Sequence, residues 1–143
     1  MFCRQCQEAA GNKACVRAGC CGKDAETSNL MDELIALLRA VALTLEAKPQ
    51  VTREFSRFLC RALTATLTNT NFNPARIYRL MDEAKRALRT LDSTAEIPPA
   101  GEGVCKDEDA RSLRELLLCG LKGVSAYAFH ALALGKEDNA IYN

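Results

Sequence analysis

Neither sign of charge dominates this chain. Nineteen Lys and Arg stand against 18 Asp and Glu, for a formal net charge of +1 over 143 residues. That balance removes the electrostatic reason to expect nucleic acid or an anionic membrane as a partner. Long apolar runs are also scarce. Leu34 to Leu45 is short, is interrupted by Arg39, and cannot span a bilayer. Met1-Phe2 runs into Cys3, with Arg4, Gln5, Gln7 and Glu8 where a secretory leader needs an apolar core, so a cytoplasmic location is expected. Tryptophan is absent and histidine occurs once, at His130, inside a helical pattern where packing or simple exposure is its expected role. No alternating strand pattern, internal repeat or low-complexity segment is present. What the chain does have is cysteine, eight in all.

Five of the eight lie within the first 21 residues: Cys3, Cys6, Cys15, Cys20 and Cys21. In a cytosolic chain thiols stay reduced, so such a cluster points to metal binding or redox chemistry rather than to disulfides. The scattered Cys60 and Cys119 are expected to be buried as small hydrophobes; Cys105 has no assigned role.

The rest of the chain reads as helices, so the expected fold is all-α: a three-helix core plus a fourth long helix, preceded by an irregular cysteine-rich loop. Residues 1–23 are polar, contain Gly11, Gly19 and Gly22, and form that loop. Residues 24–91 carry three apolar stripes. Leu30, Leu34, Leu37, Leu38, Val41 and Leu45 make the first, which Pro49 ends. Phe55, Phe58, Leu59, Leu63 and Leu67 make the second. Ile77, Leu80, Met81, Ala84, Leu88 and Leu91 make the third, with Asn73 as N-cap and Pro74 at the first helical position.

Residues 92–106 form a linker rich in Pro and Gly. Residues 107–143 then open on Asp107-Glu108-Asp109, suited to the positive end of a helix dipole. The helix runs to about Leu134 with Leu113, Leu116, Leu117, Leu121, Val124 and Tyr127 along it. Gly120 and Gly123 inside it each cost about 1 kcal/mol relative to Ala, and are expected where another backbone approaches closely. Asp138 to Tyr142 reads as the cap and first turn of a further helix, so continuation in a longer protein is expected.

Cys3-x2-Cys6 puts two thiolates on one short turn, with Cys15 eight residues on and Cys21 five further. Four such thiolates can ligate a [4Fe–4S] cubane, bind Zn²⁺ tetrahedrally, or include a redox dithiol. Zinc sites usually repeat a tight pair, which Cys15 to Cys20 approaches with four intervening residues. A thioredoxin-type dithiol needs a βαβ setting that is missing. Gly19 and Gly22 give the backbone freedom to wrap a bulky anionic cluster, and Lys13, Arg17 and Lys23 bring positive charge near it.

Met1-Phe2-Cys3-Arg4-Gln5-Cys6-Gln7-Glu8, Cys15 and Gly19-Cys20-Cys21-Gly22-Lys23 resemble the opening of the hybrid cluster protein family, also called prismane proteins or hydroxylamine reductases. The resemblance continues through Asn29 to Leu34, Thr68 to Arg76, Arg111 to Leu117, Gly120-Leu121-Lys122-Gly123, His130-Ala131 and Leu134-Gly135.

The resemblance implies an all-helical N-terminal domain, abbreviated between Leu91 and Asp107. It implies a [4Fe–4S] cluster on Cys3, Cys6, Cys15 and Cys21, the last chosen because Gly22-Lys23 follows it, with Cys20 as a possible substitute. It further implies electron relay, without catalytic residues in this chain, from a donor such as a ferredoxin to a hybrid cluster held elsewhere, where hydroxylamine or nitric oxide is reduced. The alternative is a non-catalytic helical interaction module, stapled by zinc or bearing a cluster.

Overall fold

The computed structural model describes residues 1–3, 5–47, 52–67, 69–100 and 105–142, and among them four long helices. The Pro49 stop and part of the 92–106 linker lie outside the described residues. Helix α1, Ala25–Ala47, begins where the Asp24 carboxylate accepts the Thr27 N–H at 2.6 Å. Helix α2, Arg53–Ala65, is capped by the Thr52 hydroxyl accepting from the Phe55 N–H. Helix α3, Pro74–Leu91, is capped as expected: Asn73 Oδ1 accepts the Ala75 N–H at 3.0 Å, and Pro74 occupies a position whose N–H would be unpaired anyway. Helix α4, Glu108–Ala133, starts on Asp107, whose carboxylate accepts from both Asp109 and Ala110. Every one of these starts has an oxygen side chain placed to satisfy an otherwise orphaned amide.

The core follows the three apolar stripes. Leu30, Leu34, Leu37 and Leu38 of α1 meet Phe58, Ala62 and Ala65 of α2 and Ile77, Leu80, Met81 and Ala84 of α3. A second cluster continues it: Val41, Leu45 and Leu88 are joined by the half-buried Phe55, Leu59 and Leu91. Leu34, Val41 and Ile77 are fully buried, each worth about 1.5–3 kcal/mol of apolar transfer. Pairwise, α1 packs chiefly on α3 and α2 on α4.

Helix α4 departs from the expected picture. Its apolar stripe faces outward: Leu113, Leu116, Leu117, Leu121, Val124 and Tyr127 are all exposed, Tyr127 at 83%. The buried residues are instead Lys122, Ser125 and Ala128. Among the described residues nothing lies within 4 Å of a Cβ built at Gly120 or Gly123, so none of their backbone makes the close approach expected there. Cys119 shares this exposure and Cys60 is only half-buried, which corrects the expectation that both are core hydrophobes. His130 is exposed. Among the described residues α4 is also the one helix long and apolar enough, by length and composition, to cross a membrane, a test that the shorter Leu34 to Leu45 run does not meet.

Past α4 the chain turns at Gly135, with φ +69°, into a short 3-10 turn at Asn139–Ile141 capped by Asp138. This tail is fastened to α2. Arg57 donates to both Glu137 oxygens, at 2.8 and 2.6 Å, and Arg53 stands 3.5 Å from the same carboxylate. The Arg57 guanidinium, in bidentate contact, holds the Glu137 carboxyl at about 2.

Candidate metal centre

The cysteine loop is irregular but not loose. Cys3 and Cys15 form an antiparallel bridge, with Cys3 N–H donating to Cys15 O at 3.0 Å and Cys15 N–H to Cys3 O at 2.8 Å. Between them the chain reverses through a 3-10 turn at Ala10–Asn12, where Gly11 and Asn12 both take positive φ. A second reversal follows at residues 19–23. Gly22 N–H donates to Gly19 O at 2.9 Å, and Gly19 N–H donates to Lys23 O at 2.7 Å. Gly22 sits at φ +87°, a conformation that side chains with a Cβ rarely adopt.

These two reversals bring all five N-terminal cysteines to the wall of one cleft, against α1. Cys15 is buried, Cys3, Cys6 and Cys21 are half-buried, and Cys20 is exposed. Cys15 and Cys20 sulfurs lie 3.8 Å apart, and Cys15 Sγ accepts the Ala10 N–H at 3.4 Å. Hydrogen bonds from the Cys20 and Ala10 backbone hold the Cys15 thiol below its ordinary value, while contact with Cys15 pushes Cys20 up. Among the described residues no three candidate ligands converge tightly on a single point.

The donor set fits a thiolate-bound cluster. Its sulfurs are arrayed around a cleft, one of them already accepts an amide hydrogen bond, and the loop keeps room for them. A Cβ on Gly19 would stand 3.0 Å from Cys21 Sγ, so the missing side chain is the space this sulfur occupies.

Of the three cations expected nearby, Lys13 and Arg17 point to solvent and only Lys23 reaches the cleft. Lys23 is 6% exposed, with Nζ 3.0 Å from Met31 Sδ and 5.7 Å from the centre of the Phe72 ring. A second cation, Lys122 of α4, was not among the expected site residues. It is 2% exposed and donates to Gln5 Oε1, inside the Cys3-x2-Cys6 turn, at 3.3 Å. The sequence does carry a signal for it: Lys122 is the only Asp, Glu, Lys or Arg between Glu115 and Lys136.

A helical bundle presenting a cysteine-lined cleft at its amino end defines the class: an α-helical protein with a cysteine-rich N-terminal loop. The prismane/CO dehydrogenase family model matches residues 1–143, and the chain belongs to that family. It is 38% identical to a hydroxylamine reductase of Desulfitobacterium hafniense (strain Y51) over 172 residues, covering 99% of this chain and 31% of the relative. It is 40% identical to the hydroxylamine reductase of Nitratidesulfovibrio vulgaris over 175 residues, covering 99% and 32%. For that of Halothermothrix orenii the identity is 37%, with 100% and 32% covered. The chain thus spans about a third of the length of the curated relatives it matches, and corresponds to their N-terminal region. Each alignment is longer than the 143-residue chain, so the relatives carry additional residues within the matched region.

Proposed function

We propose that this chain is an electron-relay module that holds a [4Fe–4S] cluster on Cys3, Cys6, Cys15 and Cys21. One observation carries the reading: two backbone reversals bring the N-terminal cysteines around a single cleft instead of dispersing them. The family membership and the cysteine-rich N-terminus support an iron–sulfur cofactor of some type. When bound, such a cluster accepts and releases single electrons. The protein's own residues supply four thiolates, the Ala10 N–H directed at the Cys15 sulfur, and the side-chain-free Gly19 behind Cys21. Amide hydrogen bonds to ligating sulfur stabilise the electron-rich state and so raise the potential. The donor we envisage is a soluble ferredoxin-like protein in the cytoplasm, and the acceptor a hybrid cluster outside these 143 residues. Hydroxylamine or nitric oxide would be reduced there, and this chain alone would turn over neither.

A zinc staple is the second reading, favoured by one distance. Two thiolates at 2.3 Å on a tetrahedral Zn²⁺ sit about 3.8 Å apart, which is the Cys15–Cys20 separation. In that arrangement Cys20 replaces Cys21 as a ligand.

The test is a count of iron, acid-labile sulfide and zinc per chain on protein purified and reconstituted without oxygen. About four irons and four sulfides per chain, with broad thiolate-to-iron absorbance, are expected. One zinc without sulfide would overturn the relay reading in favour of the staple, and substitution of Cys20 against Cys21 then identifies the fourth ligand.

A further inference from the structure

Lys23 and Lys122 come from opposite ends of the chain, yet both ammonium groups are buried on the same side of the molecule, against the cysteine loop. Their direct partners are neutral. Lys122 Nζ donates to Thr66 O at the end of α2 (3.2 Å) and to Gln5 Oε1 (3.3 Å). Lys23 Nζ meets the Met31 thioether and the face of Phe72. A buried cation whose contacts are dipoles is unfavourable unless an anion balances it.

Among the described residues no carboxylate forms an ion pair with either lysine: Glu115 is directed to Arg39 at 3.6 Å, Asp24 caps α1, and the half-buried Asp32, which has interactions of its own, attracts both. Burial lowers the pKa of Lys122, with Cys119 opposing the shift. The Lys23 charge adds to the lowering at Lys122, so the two cations share one electrostatic environment.

Four thiolates around an oxidised cubane leave about two net negative charges, and reduction adds one more. We infer that Lys23 and Lys122 form a buried cationic seat that neutralises the loaded site and sets its potential, with Lys122 also tying the Cys3-x2-Cys6 turn to α2 and α4. This rests on the cluster reading above. Both are positioning residues: among the described contacts neither ammonium group meets a cysteine sulfur, and they act by charge and by holding the loop. Neutralising either one disfavours the reduced, more negative state.

The experiment is an EPR-monitored redox titration of the full chain, wild type against Lys122→Gln, Lys122→Arg and Lys23→Met, after iron and sulfide have been counted on each. Gln keeps a donor for Thr66 O without the charge, whereas Arg keeps the charge. The expected result is a full cluster in all four proteins, with potentials more negative in Lys122→Gln and Lys23→Met and close to wild type in Lys122→Arg. Loaded variants titrating at the wild-type potential would overturn the inference while leaving the cluster reading intact. Wild type that binds no sulfide defeats the cluster reading itself, and this one with it. Should Lys122→Gln lose its cluster, Lys23→Met decides: a more negative potential upholds the seat, an unchanged one removes it.

Discussion

Replacing Gly19 with alanine is the most direct challenge to the site geometry. The new Cβ would lie 3.0 Å from Cys21 Sγ and 3.3 Å from both the backbone nitrogen and the Cβ of Lys23. Cys21 can give by rotating, but Lys23 cannot easily move, because its carbonyl accepts the Gly19 N–H at 2.7 Å and its side chain is buried. Gly19 cannot back away either, since its own carbonyl accepts from Gly22. Overpacking of this kind costs about 1–3 kcal/mol, which corresponds to a roughly five- to 150-fold weaker hold on whatever Cys21 helps to bind. The assay is iron and sulfide retained per chain after a timed anaerobic challenge with chelator. Gly120→Ala is the control, because its Cβ meets nothing within 4 Å and should stabilise helix α4 by about 1 kcal/mol. Gly19→Ala retaining its metal as long as wild type would refute the claim that this missing side chain makes room for Cys21.

Other outcomes follow from the same structure. Leu34→Ala, at a fully buried position in the main cluster, should cost about 2–5 kcal/mol and lower the midpoint of thermal unfolding followed by circular dichroism. Glu137 titrates at about 2 in the folded chain against an ordinary 4.5, so the hold of the tail on α2 is complete above pH 4.5 and is lost as pH falls towards 2. Glu137→Gln should abolish that acid dependence in limited proteolysis of the tail. In thiol labelling, exposed Cys119 should react well before Cys60, whose thiol is pushed up by burial despite its hydrogen bond with Ser125. Equal rates would contradict the placement of Cys60.

The three-helix core was legible because period and burial coincide there: each stripe residue of α1 is buried, and α2 and α3 bury or half-bury theirs. The caps were legible for a similar reason, since Asn73-Pro74 and Asp107 act through local chemistry that needs no distant partner. Helix α4 shows where this logic ends. Periodicity reveals that a face is apolar, but not what lies against it, and here Leu113 through Tyr127 face away from the bundle while the small and polar Ser125, Ala128 and Lys122 face inward. Cys119 was misplaced along with that face. At the candidate site, spacing singled out the cysteines that line the cleft, and the choice of four as ligands came from the family resemblance alone. Lys122 could not be assigned to the site from spacing alone, because its link to Gln5 joins residues 117 positions apart.

The bridge between Cys3 and Cys15 bears on how the site is filled. Two main-chain bonds hold these residues in register, so on the cluster reading proposed above half of the donor set would be placed by the fold itself. The arm carrying Cys20 and Cys21 is held likewise, by the bonds from Gly22 N–H to Gly19 O and from Gly19 N–H to Lys23 O. On the cluster reading, both arms would be set by the fold, and the choice left to the metal would lie between the neighbouring sulfurs of Cys20 and Cys21.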